Sequence, residues 1–227
     1  MKRIFLWLTA LIIFQSGWLT PIFAADTNAV IPYKELKEIF QPISQVDQSK
    51  LEIRVFISST NQAVPPSDIR LTIHSAKGAI PVALGTNGQV LQFPLDKNLL
   101  RENPAVLVNQ PKGTVRLAVS VQLPMPDDLT FRYRRLGDGV AEMNKTIRTQ
   151  AGAVLSLLAP KAQGVIFVFP KTGAGRAKVE IAAAAGGQEL TADQRGQIKL
   201  KLDKSLLAEN PEVKVSEKPV GIYPDLK

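Results

Sequence analysis

The chain has 227 residues, with 28 Lys and Arg against 20 Asp and Glu, one histidine and no cysteine. A cysteine-free chain has no disulfide, no thiol nucleophile, no thiolate zinc site and no iron–sulfur cluster. With His74 as its sole imidazole, a Ser-His-Asp triad has one candidate base, and no GxSxG accompanies it.

The first element is a leader. Lys2 and Arg3 precede an uncharged apolar run from Ile4 to Phe14, followed by Ser16-Gly17, Pro21 and the small pair Ala24-Ala25. This is the pattern of a secretory signal peptide over residues 1–24, and the run is shorter than the roughly 20 residues that span a bilayer. Cleavage after Ala24 leaves 203 residues with 26 basic against 20 acidic side chains, a net charge of +6. The expected product is periplasmic or secreted, soluble after cleavage, and in contact with membrane only through the uncleaved leader. Its basic field favours anionic partners, an envelope protein or an anionic cell-wall or lipid glycan, and the compartment excludes nucleic acid. The terminal GIYPDLK lacks the pattern of an outer-membrane barrel strand.

In the next stretch, IPYKELKEIFQPI places Tyr33, Leu36 and Phe40 on one helical face before Pro42. IRVFI (53 to 57) fits a buried strand, and Ile69, Leu71 and Ile73 alternate with Arg70, Thr72 and His74, the period of a half-buried strand. Thr86-Asn87-Gly88 marks a turn. VLQFPL then leads into LDKNLLRENPAV, and AVLV resumes as a strand. Val115, Leu117, Val119, Val121 and Leu123 alternate with polar or small residues as a longer strand.

FRYRRL (131 to 136) opens the second half. As a strand it sets Arg132 and Arg134 opposite Phe131 and Tyr133, with Arg135 as a third charge. DGVAEMNKTIRTQAGAVLSLLAP is compatible with a helix capped by Asp138, with Val140, Met143, Ile147, Val154, Leu155 and Leu158 on its apolar side. Its second half is equally compatible with a strand. VIFVF (165 to 169), the alternation at Val179 and Ile181, and that at Ile198, Leu200 and Leu202 are further strands, separated by Gly173-Ala174-Gly175, Gly186-Gly187 and Arg195-Gly196.

Residues 95 to 106, LDKNLLRENPAV, return at 202 to 213 as LDKSLLAENPEV, with nine of twelve positions identical. Weaker matches precede both in the same order, pairing Tyr33 with Tyr133 and Leu36 with Leu136. The repeated stretch reads as strand, one helical turn, strand. Asp96 and Asp203 cap the turn, a Leu pair anchors it, Pro104 and Pro211 end it, and Asn103 bonds locally to backbone. Such a corner carries a chain from one sheet to the other. The expected fold is mainly β: two tandem immunoglobulin-like β-sandwich domains related by internal duplication, with short helical segments, over residues 25–126 and 127–227. The second copy leaves no evident room for a match to TVRLAVSVQLP. It therefore either lacks an edge strand, shares the strand at 114–123, or takes one from a partner.

The candidate binding residues are Arg132, Arg134 and Arg135, whose planar forks suit carboxylate and phosphate, and Glu102 and Glu209, which both copies keep without an evident backbone task. No catalytic or metal site and no cofactor is expected. Asp127-Asp128 and Asp225 lack ligand spacing, and PKTGAGRAK (170 to 178) lacks the ending of a phosphate loop. Oligomeric state is left open.

Tyr33 with Leu36, and Gly88 followed by a strand and Phe93-Pro94-Leu95-Asp96, resemble uncharacterised periplasmic proteins of Gram-negative bacteria that carry an early Tyr-x-x-Leu segment and a Gly-strand-LPLD run. The resemblance implies a location and no activity. The two-domain basic plan is also similar to that of fimbrial chaperones, although their signature residues find no match here. The leading expectation is an exported non-enzymatic binding or structural protein. The alternatives are a chaperone-like module that binds extended polypeptide at a sheet edge, a binder of anionic glycans, and a hydrolase.

Overall fold

The computed structural model describes residues 28–155, 159–184 and 186–227. The leader expected over residues 1–24 lies outside them, as does Leu158. The described chain is mainly β, with 14 strands and four α-helices. It runs β1 (Asn28–Pro32), α1 (Tyr33–Ile43), β2 (Glu52–Ser59), β3 (Leu71–Ser75), β4 (Gly78–Leu84), β5 (Val90–Gln92), α2 (Lys97–Glu102), β6 (Ala105–Pro111) and β7 (Val115–Gln122). It continues β8 (Thr130–Arg132), α3 (Arg134–Leu155), β9 (Ala162–Val168), β10 (Lys178–Ala182), β11 (Gln188–Thr191), β12 (Gln197–Lys201), α4 (Lys204–Glu209), β13 (Glu212–Val215) and β14 (Gly221–Leu226). The second series repeats the first element for element, including a 3-10 turn after β2 (Pro66–Asp68) and after β9 (Lys171–Gly173).

The strand orders also correspond. One sheet is β1-β6-β3-β4-β5 and its counterpart β11-β10-β13-β8; β2 pairs with β7, and β9 lies between β12 and β14. These orders depart from the immunoglobulin arrangement. There the first strand shares a sheet with the second, and the last with the third and sixth. Here the first strand of each series joins the third and sixth, and the last pairs with the second. The strand after the first is reached through a helix, not a hairpin, so nothing ties the two side by side.

β14 removes the expected gap. The terminal GIYPDL, which carries no clean alternation, is a strand paired along β9 from Gly221↔Val168 to Leu226↔Ala162. The second series therefore has its final strand. Pro224 disguised it, because proline is poorly placed in a central strand but is tolerated at an edge.

The chain forms two compact units. One comprises the described residues up to Glu38 with Val55–Val119; the other comprises Ile39–Arg54 with Ser120–Lys227. The second unit thus includes the α1–β2 connection of the first series, and Val46 and Leu51 from it belong to that unit's core. Its other core residues alternate along the strands: Val165 and Phe167 on β9, Val179 and Ile181 on β10, Ile198 and Leu200 on β12, Val213 and Val215 on β13. Strands from both sheets enclose one apolar layer, as a sandwich requires. In the first unit the buried positions include Val55, Ile57, Leu71, Ile73, Val106 and Val108, with Tyr33, Leu36 and Phe93. Val115, Leu117 and Val119 of β7 are half-buried or exposed, because a two-stranded pair leaves that strand partly uncovered.

Helix boundaries differ from expectation. α3 begins at Arg134, so Asp138 lies inside it and is no cap. α1 continues to Ile43 through Pro42, which sits in the last turn where a missing N–H ends the ladder. Asn144 of α3 exchanges two hydrogen bonds with the Ala162 backbone, both 2.9 Å, and so holds the helix to the start of β9. None of the described helices is long and apolar enough to cross a membrane.

Candidate functional site

The repeated corner is closed by bonds within its own unit. Asp96 accepts from the Asn98 and Leu99 amides at 2.6 and 3.2 Å, and Asp203 from those of Ser205 and Leu206 at 2.7 and 3.3 Å. The Ser205 hydroxyl also bonds Asp203, and with these amides holds the Asp203 carboxyl below its ordinary pKa. Asn103 and Asn210 adopt the left-handed conformation, with φ of 48° and 55°, which asparagine tolerates better than most residues. Their side chains make long-range bonds, not the expected local ones. Asn103 Oδ1 accepts from the Lys34 amide at 2.9 Å, and Asn210 Oδ1 from the Arg134 amide at 2.8 Å. Each thereby satisfies an open N–H at the start of α1 or α3. Tyr33 and Tyr133 complete the corner from inside. The Tyr33 hydroxyl donates to the Pro94 carbonyl at 2.7 Å and accepts from the Asp96 amide at 3.0 Å; the Tyr133 hydroxyl accepts from the Asp203 amide at 3.1 Å. Burial raises both phenol pKa values.

Glu102 and Glu209 have the same kind of task. Glu102 Oε1 accepts from the Ala76 amide at 2.5 Å in the β3–β4 turn, and Glu209 Oε1 from the Ala184 amide at 2.6 Å between β10 and β11. The partners lie 26 and 25 residues away, a separation that a local reading of sequence does not reach.

The three arginines do not share a strand face. β8 ends at Arg132, Tyr133 turns the chain, and Arg134 and Arg135 open α3. Arg132 is exposed opposite Glu212 of β13. Arg134 reaches the Leu207 and Ala208 carbonyls at 3.4 and 3.5 Å, at the end of α4 where a cation is favoured. Arg135 bonds the Pro124 and Met125 carbonyls at 3.2 and 3.5 Å. Two of the three guanidinium groups therefore have backbone partners in their own unit.

The loop at 170–178 is also internally bonded. Arg176 bonds the Thr172 carbonyl, and Gly173 packs so tightly that a Cβ there would meet Glu217 Oε1 at 2.1 Å. Glu142, the buried carboxylate of the described residues, is paired by Lys145 Nζ at 3.1 Å. No group of three or more Asp, Glu, His or Cys among the described residues is placed to hold a metal ion.

The remaining candidate is a surface. The two equivalent sheets differ in the rows of their outer faces, although exposed Arg70 lies on the first as Lys178 does on the second. In the second unit, Arg132 faces Glu212, and Lys214 lies between Thr130 and Glu180, with Glu189 beyond it. Lys178 Nζ pairs with Glu189 at 2.7 Å on the same face. In the first unit, the corresponding rows are Val30–Leu107–Thr72–Pro81 and Pro32–Ala105–His74–Ala79. Val30 is 56% exposed, Pro32, His74, Ala79 and Pro81 are exposed, and Leu107, Ala105 and Thr72 are half-buried. These eight positions contain no Lys, Arg, Asp or Glu. Sequence carries a trace of this in the uncharged GAIPVAL of β4 against KVEIA and EVKV of β10 and β13, but the rows emerge only once strand register is known.

Neither the comparison with curated proteins nor that with solved structures gave a match. A family model does match the chain over residues 27–169, which spans the first series of elements and then β8, α3 and β9. The chain belongs to the family described as Protein of unknown function (DUF2987).

Proposed function

We propose that this is an exported, non-enzymatic envelope protein built from a duplicated β-sandwich, and that it acts as a binding module through the outer face of the β1-β6-β3-β4 sheet. One observation carries the reading. Of the polar residues that both series keep, Asp96/Asp203, Glu102/Glu209, Asn103/Asn210 and Tyr33/Tyr133 bond backbone of their own unit, whereas Lys97/Lys204 are exposed. These four pairs are thus scaffold. Features that differ between the series are free to serve binding, and one is the pair of rows Val30–Leu107–Thr72–Pro81 and Pro32–Ala105–His74–Ala79, which carry no charge where the other series does. The leader over residues 1–24 supports export to the periplasm.

The chaperone-like reading drew on a missing last strand, and β14 supplies that strand. The anionic-glycan reading retains Arg132 as its exposed guanidinium.

Both tryptophans, Trp7 and Trp18, lie in the leader. Protein recovered from the periplasmic fraction is therefore expected to begin at Ala25 by intact mass and to lack tryptophan emission. Recovery from the cytosol with Met1 and both tryptophans retained would overturn the export reading. Turnover in a broad hydrolase screen that disappears in His74→Ala would overturn the non-enzymatic one.

A further inference from the structure

We infer that one loop end of the second unit docks on an anionic phospholipid surface as a reversible, peripheral contact. This goes beyond the binding-module reading, which concerns a sheet face of the first unit. It also adds a membrane contact to the one expected through the leader.

Strand register builds this end. Val168 lies in one row with Gln197 and Gly221, and Lys178 lies opposite Thr191 beside the end of β13, so the connections 169–177, 192–196 and 216–220 emerge side by side. Backbone bonds tie them together. The Gly175 amide donates to the Asp193 carbonyl at 3.1 Å, the Phe169 amide to the Gly196 carbonyl at 2.8 Å, and the Val220 amide to the Val168 carbonyl at 2.6 Å. The Lys178 amide donates to the Ser216 hydroxyl at 2.8 Å. The three loops are thus held to one another, and binding through them pays little to order backbone.

The charged side chains of these loops are Lys171, Arg176, Asp193, Arg195, Glu217 and Lys218, four cations less two carboxylates for a net of +2. All four cations are exposed, and among the described residues none is ion-paired. Both carboxylates are engaged by their own loops. Asp193 Oδ1 accepts from the Arg195 and Gln197 amides, each at 2.8 Å, and Glu217 Oε1 lies against buried Gly173. Apart from Arg70, which stands where Lys178 does, the matching connections of the first series carry only Asp68 and Lys112. The excess of cations is therefore no part of the duplicated scaffold.

Val220 selects the partner. It is 62% exposed, the most exposed large apolar side chain among the described residues, and it follows Lys218 and Pro219 at this same end. A soluble polyanion would leave it in water. A bilayer interface takes it up while the surrounding cations meet lipid phosphates, and basic side chains around an apolar tip suit that interface. Cations carried by three loops also reach several mobile headgroups at once. Each Lys or Arg near an anionic leaflet strengthens binding about fivefold, so this end attaches weakly and reversibly.

The test is co-sedimentation of the mature chain with phosphatidylcholine vesicles, with and without about 30% phosphatidylglycerol, at about 0.05 and 0.5 M NaCl. The expected result is binding to the anionic vesicles alone, lost at the higher salt. Arg195→Gln and Lys218→Gln, made separately so that a folding defect in one leaves the other, should each weaken binding about fivefold with the thermal melt unchanged. Val220→Ser should weaken it at least about threefold. Lys112→Gln, at the matching end of the first series, should have no comparable effect. Equal binding to both vesicles, binding to neither, or full binding by the well-folded Arg195 and Lys218 variants overturns the inference. Binding that is undiminished in Val220→Ser and competed away by soluble polyglutamate overturns the bilayer as partner. None of these outcomes bears on the sheet face of the first unit.

Discussion

Removing one oxygen atom tests the account of the repeated corner. Tyr33 is fully buried, and its ring stacks on Phe93 with centroids 5.5 Å apart. Tyr33→Phe keeps ring, stack and volume and deletes only the hydroxyl that joins the Pro94 carbonyl to the Asp96 amide. Each lost bond is worth about 1 to 1.5 kcal/mol, with more at stake if the partner stays dry. Asp96 is exposed and Pro94 half-buried, so water replaces part of the loss and about 2 kcal/mol is the working figure. For a unit of this size that lowers Tm by about 8 to 16 °C. Urea unfolding followed by far-ultraviolet circular dichroism should show a lower midpoint with unchanged slope, the signature of a native-state loss. Tyr133→Phe loses the bond from the Asp203 amide and should cost about 1 kcal/mol. A loss below about 0.5 kcal/mol in Tyr33→Phe, inside the scatter of a surface substitution, would show that the hydroxyl does not hold the corner.

Gly139 in α3 tests a close approach. A Cβ there would lie 2.5 Å from Leu123 Cγ and 3.0 Å from the Lys50 carbonyl. Alanine would gain about 1 kcal/mol in helix propensity, yet overpacking costs about 1 to 3 kcal/mol. Gly139→Ala should therefore lower the urea midpoint, and a raised midpoint would refute the contact. The pH profile tests the carboxylates and phenols. The Ser49 hydroxyl and Lys50 hold Asp47 at about 2 against an ordinary 3.8, and the Ser205 hydroxyl, with the Leu206 and Ser205 amides, lowers Asp203. A depressed folded pKa stabilises above the unfolded value, and the gain is lost as pH falls through the folded one. Stability should thus decline below about pH 4, and Ser205→Ala should lower stability above that pH and make the acid decline shallower; superimposable Tm profiles would refute the cause given. Tyr33 and Tyr133, raised by burial, stabilise fully below about pH 10, and that gain is lost as pH rises through their folded values. An alkaline limb absent from the double Tyr→Phe variant is the expected result.

Local chemistry made much of the chain readable. A cap needs only residues two and three positions on, so the roles of Asp96 and Asp203 follow from LDKNLL and LDKSLL alone. Alternation needs only a period of two, so the buried sets Ile69, Leu71 and Ile73 and Val179 and Ile181 follow likewise. The repeat itself is a property of the sequence, and it is matched by two series of elements in one order.

Other features depend on partners that are distant along the chain. Glu102 and Glu209 gain their role from turns 26 and 25 residues away, and Asn103 and Asn210 from helices 69 and 76 residues away. Arg134 and Arg135 read as a charged strand until Tyr133, drawn into the corner, ends β8 and starts α3. β14 was hidden because pairing with β9, and not its own alternation, makes it a strand. The candidate surface is the clearest case. Val30, Leu107, Thr72 and Pro81 come from four separate stretches, and strand register alone aligns them in one row. Sequence by itself therefore determined the repeated corner and its caps, whose physics is local. Tertiary structure decided which polar residues are scaffold and which residues line up in rows across a sheet, because both depend on pairing between strands that the chain keeps far apart.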